Sequence, residues 1–176
     1  MELKQKGDEI NISGVKQLMA ALQWSTADDF DLAAAYETRE GQHGLIYFGE
    51  FGNLNTFPFI QLSGDDGGGT EADHQETMRI TRLIGMKYIW ILCWDYGKIQ
   101  EGVPFSFKES HVSLTLLDDK NNSHKITLDT SDMGNVALFA TIDNSGSAGA
   151  KLINSSKSGT LKGLKNIQQL LDVINP

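Results

Sequence analysis

The sequence predicts an all-β protein, an antiparallel β-sandwich with a C-terminal amphipathic helix. Three observations predict it. Short segments of alternating or wholly apolar residues follow one another, separated by Gly, Asn, Asp and Ser. No long helical pattern stands between them, which disfavours a doubly wound α/β sheet. After residue 155 the apolar spacing changes from strand-like to steps of three and four.

Residues 9–13 (EINIS) alternate as a half-buried strand does. Residues 17–24 (QLMAALQW) and 30–36 (FDLAAAY) are apolar and of strand length, with Ala and Leu leaving helix as a rival. Residues 44–51 (GLIYFGEF) and 57–62 (FPFIQL) are rich in aromatic and β-branched side chains. Residues 76–83 (ETMRITRL) alternate again. Residues 87–95 (KYIWILCWD) are apolar on both faces, as a central strand must be. Tyr88, Trp90, Leu92 and Trp94 would share one face, and Ile89, Ile91 and Cys93 the other. Further strands are expected at 111–117, 124–128, 136–142 and 150–154. Residues 1–155 are then the sandwich and 156–176 the helix. Leu161, Leu164, Ile167, Leu170, Leu171 and Ile174 form its apolar stripe, and Ser158 is the expected N-cap. So short a helix needs something to pack on.

The chain has 176 residues, of which 40% are hydrophobic, enough for one domain with a real core. Its formal charge of −8 opposes binding to nucleic acid or to an anionic membrane. The single cysteine, Cys93, excludes an internal disulfide and any multi-cysteine metal site. The longest apolar run, 88–94, falls well short of the roughly 20 residues that cross a bilayer. The opening MELKQKGDEI lacks the apolar stretch of a secretion signal, so a cytoplasmic protein is expected.

Residues 63–76 (SGDDGGGTEADHQE) hold Asp65, Asp66, Glu71, Asp73 and Glu76 with no Lys or Arg. Carboxylates packed this densely repel one another unless a cation neutralises them. Calcium takes oxygen ligands, and glycines let a backbone wrap closely around an ion. The spacing is not that of an EF-hand. A solvated acidic loop has the same composition. A second acidic cluster, Asp28, Asp29 and Asp31, sits at a strand entry, where such residues also serve as turn formers.

The chain resembles the TerD family of tellurium-resistance and stress proteins. The resemblance rests on residues 3–12 (LKQKGDEINI), 22–35 (LQWSTADDFDLAAA) and the acidic loop 63–76, followed in similar order by the run from Tyr88 through Asp118. It covers roughly residues 3–145. It implies a β-sandwich that binds Ca2+ through acidic loops and acts by binding and assembly in stress response, with protein partners and no catalytic activity. Carried over, Asp31 matches the first Asp of the Phe-Asp-Leu-Asp motif, Asp65 and Asp66 its Asp-Asn/Asp pair, and Glu76 its closing Glu. Asp73 lies in the variable acidic part and completes the expected metal set. The second Asp of Phe-Asp-Leu-Asp is Ala33 here, so one ligand is missing. The C-terminal helix has no matched counterpart.

No other constellation points to chemistry. His43, His74, His111 and His124 lack ligand-like pairing, and Cys93 lies in a strand expected to be buried. There is no Gly-x-Ser-x-Gly elbow, phosphate loop or His-Glu-x-x-His. The competing reading is a metal-free sandwich that binds a carbohydrate or peptide through exposed Trp and Tyr. A third is a hydrolase that uses the acidic loops and a metal to activate water.

Overall fold

The computed structural model describes residues 1–63 and 72–175. In chain order the strands are Glu2–Leu3 (β1), Glu9–Asn11 (β2), Leu18–Trp24 (β3), Phe30–Thr38 (β4), His43–Ile46 (β5), Gly52–Asn53 (β6) and Ile60–Leu62 (β7). They continue with His74–Ile80 (β8), Met86–Asp95 (β9), Ser113–Asp118 (β10), Ser123–Ile126 (β11), Val136–Asp143 (β12) and Lys151–Gly159 (β13). Two short helices, Tyr96–Glu101 (α1) and Ile167–Ile174 (α2), and a 3-10 turn at Lys108–Ser110 complete the description.

The strands form two sheets. The first runs β1-β11-β10-β3-β8-β7-β6 and the second β2-β13-β12-β9-β4-β5. Every pairing is antiparallel except that of β1 with β11. The sandwich expected from the sequence is therefore present.

Alternation decides what faces the core. From the first sheet come Leu18, Ala20, Leu22 and Trp24 of β3, with Met78 and Ile80 of β8. From the second come Phe30, Leu32 and Ala34 of β4, with Ile89, Ile91 and Cys93 of β9. A bulge in β12 between Leu138 and Ala140 lets two successive residues, Phe139 and Ala140, enter this core.

The first sheet leaves its other face partly wet, whereas the second buries both faces. A second apolar cluster of Ala33, Ala35, Trp90, Leu92, Trp94, Val136 and Leu138 lies outside it, covered by Ile99 of α1 and by Leu170, Leu171 and Ile174 of α2. That explains why β4 and β9 read as unbroken apolar runs. The eight-residue α2 is too short to persist alone. Asn166 and Gln169 close a capping box at its start, and Lys157 Nζ donates to Ile174 O (2.8 Å) at its end. Burying Leu170 completely stabilises this docking by roughly 2 kcal/mol.

The larger departures from the expected element boundaries have local reasons. The strand expected at 57–62 begins at Ile60, because Pro58 has no ladder donor and Phe59 turns with φ of 60°. The strand expected at 44–51 ends at Ile46, where Tyr47 and Glu50 close a turn. The helix expected from Leu161 forms only from Ile167. Ser158 lies in β13, which extends through Gly159, and Gly163 turns the chain at φ of 73° before Asn166 caps α2. Position 155, the expected limit of the sandwich, falls inside β13. Leu161 is nonetheless anchored: its N–H donates to Asn135 Oδ1 (2.8 Å) and its carbonyl accepts from Asn135 Nδ2 (2.7 Å).

Candidate functional site

One end of the sandwich gathers the ends of β3, β4, β8 and β9. Trp24 stacks on His74 at 5.2 Å and meets the edge of Phe30 at 5.6 Å, so three strands are clamped by three rings. The Trp24 indole N–H donates to Asp28 O (2.8 Å), which fixes the turn between β3 and β4.

Glu76 points inward from β8, beside Leu22 in register, and is 2% exposed. Its Oε1 accepts the backbone N–H of Leu32 at 2.9 Å, so the side chain spans from the first sheet to the second. The reason is local. β5 pairs with residues 34–37 of β4 only, leaving Leu32 beyond the end of that neighbour. A buried backbone donor without a ladder partner needs an acceptor, and Glu76 supplies one.

Asp31 is the register partner of Trp94, and Phe30 of Asp95. Asp31 is 5% exposed and Asp95 8% exposed. Asp95 caps α1 by accepting the N–H of Lys98 at 3.2 Å. Burial raises its carboxyl above the usual value of 3.8, and the charge of Asp28 adds to the rise; hydrogen bonds from the Lys98 and Gly97 backbone and the Lys98 charge offset only part of it. The fully buried Cys93 feels the same group of charges. Burial pushes its thiol well above 9.0, and Asp31, Glu76, Asp95 and Asp28 push it further. Four carboxylates therefore act on one thiol, which leaves Cys93 protonated and inert.

Of the residues the sequence singled out as metal ligands, Asp31 and Glu76 both lie at this end, Glu76 facing the inner core and Asp31 on the alternate face of β4. Asp73 is exposed and lines a cleft of about 560 Å³ with Trp24, His74 and His111. Asp65 and Asp66 lie outside the described residues. Among the described residues no three His, Cys, Asp or Glu side chains converge closely enough to hold an ion. Sequence reasoning missed Asp95. Its signal was a carboxylate at a strand end followed by Tyr96-Gly97, a helix-capping position.

Ala33, where the resemblance expects a second Asp, is fully buried in the outer apolar cluster with Leu92 and Trp94. That face of β4 is dry beneath the layer formed by α1 and α2. An Asp at position 33 would be desolvated by the packing that buries Ala33.

The architecture is a two-sheet sandwich with carboxylates collected at one end. Two solved structures share the two-sheet fold. A homologue of telluride resistance protein (TerD) from Streptomyces coelicolor A3(2) has a TM-score of 0.59, covering 91% of this chain and 96% of its own at 12% identity. A protein of unknown function has a TM-score of 0.53, covering 82% of this chain and 92% of its own at 13% identity. No family model matches the sequence. No curated protein matches it. The likeness is one of fold: this chain has a divergent TerD-like fold. No helix among the described residues is long and apolar enough to cross a membrane.

Proposed function

We propose that this protein is a non-catalytic calcium-binding protein of stress response, whose acidic end is ordered by the ion and then read by protein partners. The observation that carries the reading is the burial of Asp31, Glu76 and Asp95 at one end of the sandwich, where burial and the charge of Asp28 raise the Asp95 carboxyl. Oxygen donors of this kind suit a hard cation. The described carboxylates do not complete a site, so the reading assigns the remaining ligands to Asp65 and Asp66. In it, Glu76 and Asp31 supply ligands from the two sheets, and Asp65 and Asp66 complete the set. Asp73 belongs to the outer rim rather than to the ligand set.

Binding to the folded state alone would stabilise it by mass action. Calorimetric titration of calcium tests the reading. Asp31→Asn and Asp65→Asn should each weaken binding at least about tenfold, since each removes a charge and a ligand. Unchanged affinity in both variants rejects it. The competing carbohydrate or peptide reading needed exposed Trp and Tyr; Trp24, Trp90, Trp94 and Tyr36 are buried, while Tyr47, Tyr88 and Tyr96 are half-buried.

A further inference from the structure

The outer face of the second sheet is not wholly covered by α2. Beside the helix's C-terminal end lies a groove of about 520 Å³. Its walls differ from the rest of this acidic chain. Lys6, Lys87 and Lys157 line it together, against one carboxylate, Glu37. Lys87 pairs with Glu37 at 3.5 Å. Among the described residues, neither Lys6 nor Lys157 has a carboxylate within ion-pair distance. Lys157 is half-buried and spends one donor on Ile174 O, leaving up to two of the three on its ammonium. Burial, and then the charge of Lys6, lowers the basicity of Lys157, so the two cations act on each other.

The groove also has a flat wall. Tyr88 is half-buried and stacks on Trp90 at 5.4 Å with the planes 21° apart. Thr141 and Ser155 share a hydrogen bond of 2.7 Å on its floor, either hydroxyl able to donate. Two neighbouring cations without carboxylate partners are relieved by a multivalent anion. Tyr88, with Trp90 stacked on it and Lys87 Nζ 5.6 Å from its ring centroid, gives an aromatic wall with hydroxyls beside it.

We propose that this groove binds a small molecule carrying a phosphate monoester on a ring, with the phosphate between Lys6 and Lys157 and the ring against Tyr88. The site is independent of the acidic end and needs no divalent ion. Phosphorylated sugars and nucleotides share this chemistry, and the choice between them falls to the experiment.

The test is isothermal titration of the full chain in metal-depleted buffer with glucose 6-phosphate, AMP, inorganic phosphate and unphosphorylated glucose. The expected result is binding of at least one phosphorylated ring, about tenfold tighter than inorganic phosphate, with no binding of glucose. Whichever ester binds identifies the ring. Lys6→Gln and Lys157→Gln should each weaken it by about tenfold. Lys125→Gln, outside the groove, should leave it unchanged. Lys157→Gln also removes the bond to Ile174, so Lys6→Gln, which touches no helix contact, carries the decision. Absence of binding by both esters, affinity no better than that of inorganic phosphate, or affinity unaffected by Lys6→Gln overturns the proposal.

Discussion

Two buried carboxylates, Asp118 and Asp95, stand at strand ends of this sandwich and behave oppositely. At Asp118 burial alone would raise the carboxyl, but the N–H groups of Asn122 and Lys120 and the ring of His124 outweigh it and hold it below 3.8. Those bonds are 2.9, 2.9 and 3.1 Å long, and His124 is itself buried. At Asp95 burial prevails, because the backbone bonds and the charge of Lys98 are too little and Asp28 adds repulsion. The first carboxylate is satisfied by its own hairpin. The second stands in a group whose charges reinforce one another, the electrostatic condition that a divalent ion corrects.

The comparison breaks most visibly at Asp118. Asp118→Ala should lower stability by about 3 kcal/mol, because it leaves a buried histidine and two backbone donors without their acceptor. Thermal unfolding should show a drop of roughly 10 °C, the same with calcium or with chelator. A calcium-dependent drop would place Asp118 in the metal site instead.

Glu76→Gln sharpens the other side. Glutamine keeps an oxygen for the Leu32 N–H, so the sheets should stay joined and the melting point in chelator should move little. The gain from calcium, about 2.7 kcal/mol at a hundredfold excess over Kd, should vanish. Retention of that gain would remove Glu76 from the ligands.

Asp95→Asn should have a smaller effect of the opposite sign. Asparagine still caps α1, and it removes a charge that burial opposes. Stability in chelator should rise by up to about 1 kcal/mol. The pH dependence follows with its sign. The folded pKa of Asp95 lies above the unfolded value, so the folded state holds its proton more tightly. Stability from this group is then full below 3.8 and is lost as pH rises through the folded value. Asp118 runs the other way: its contribution is present above 3.8 and is lost as pH falls through the folded value. The melting point of the unmodified chain minus that of Asp95→Asn, followed between pH 3 and 7, should therefore fall as pH rises.

Much of the fold was legible because burial writes itself into period. The two faces of β9 were separable by alternation alone, and they fall in the two apolar clusters. The α2 stripe was legible too, but not its start, because Leu161 and Leu164 keep helical spacing while lying in a turn that packs on the same cluster. Asp31 and Glu76 stand in acidic stretches and were singled out through the family resemblance. Asp95 was not, since a lone carboxylate ending an apolar strand signals a cap and carries no trace of which distant charges it will meet. The lysines of the groove lie at 6, 87 and 157, and the pairings of β12 with β9 and β13 and of β13 with β2 bring their surroundings together. Long-range pairing of that kind has no local signature.

The central claim is that the acidic end awaits a divalent ion, and thermal unfolding of the unmodified chain tests it most directly. Melting should be followed at one ionic strength in calcium, in magnesium and in chelator. Calcium should raise the melting point by several degrees, magnesium by less because of its stricter geometry, and chelator should give the lowest value. Three superimposable curves would contradict the account.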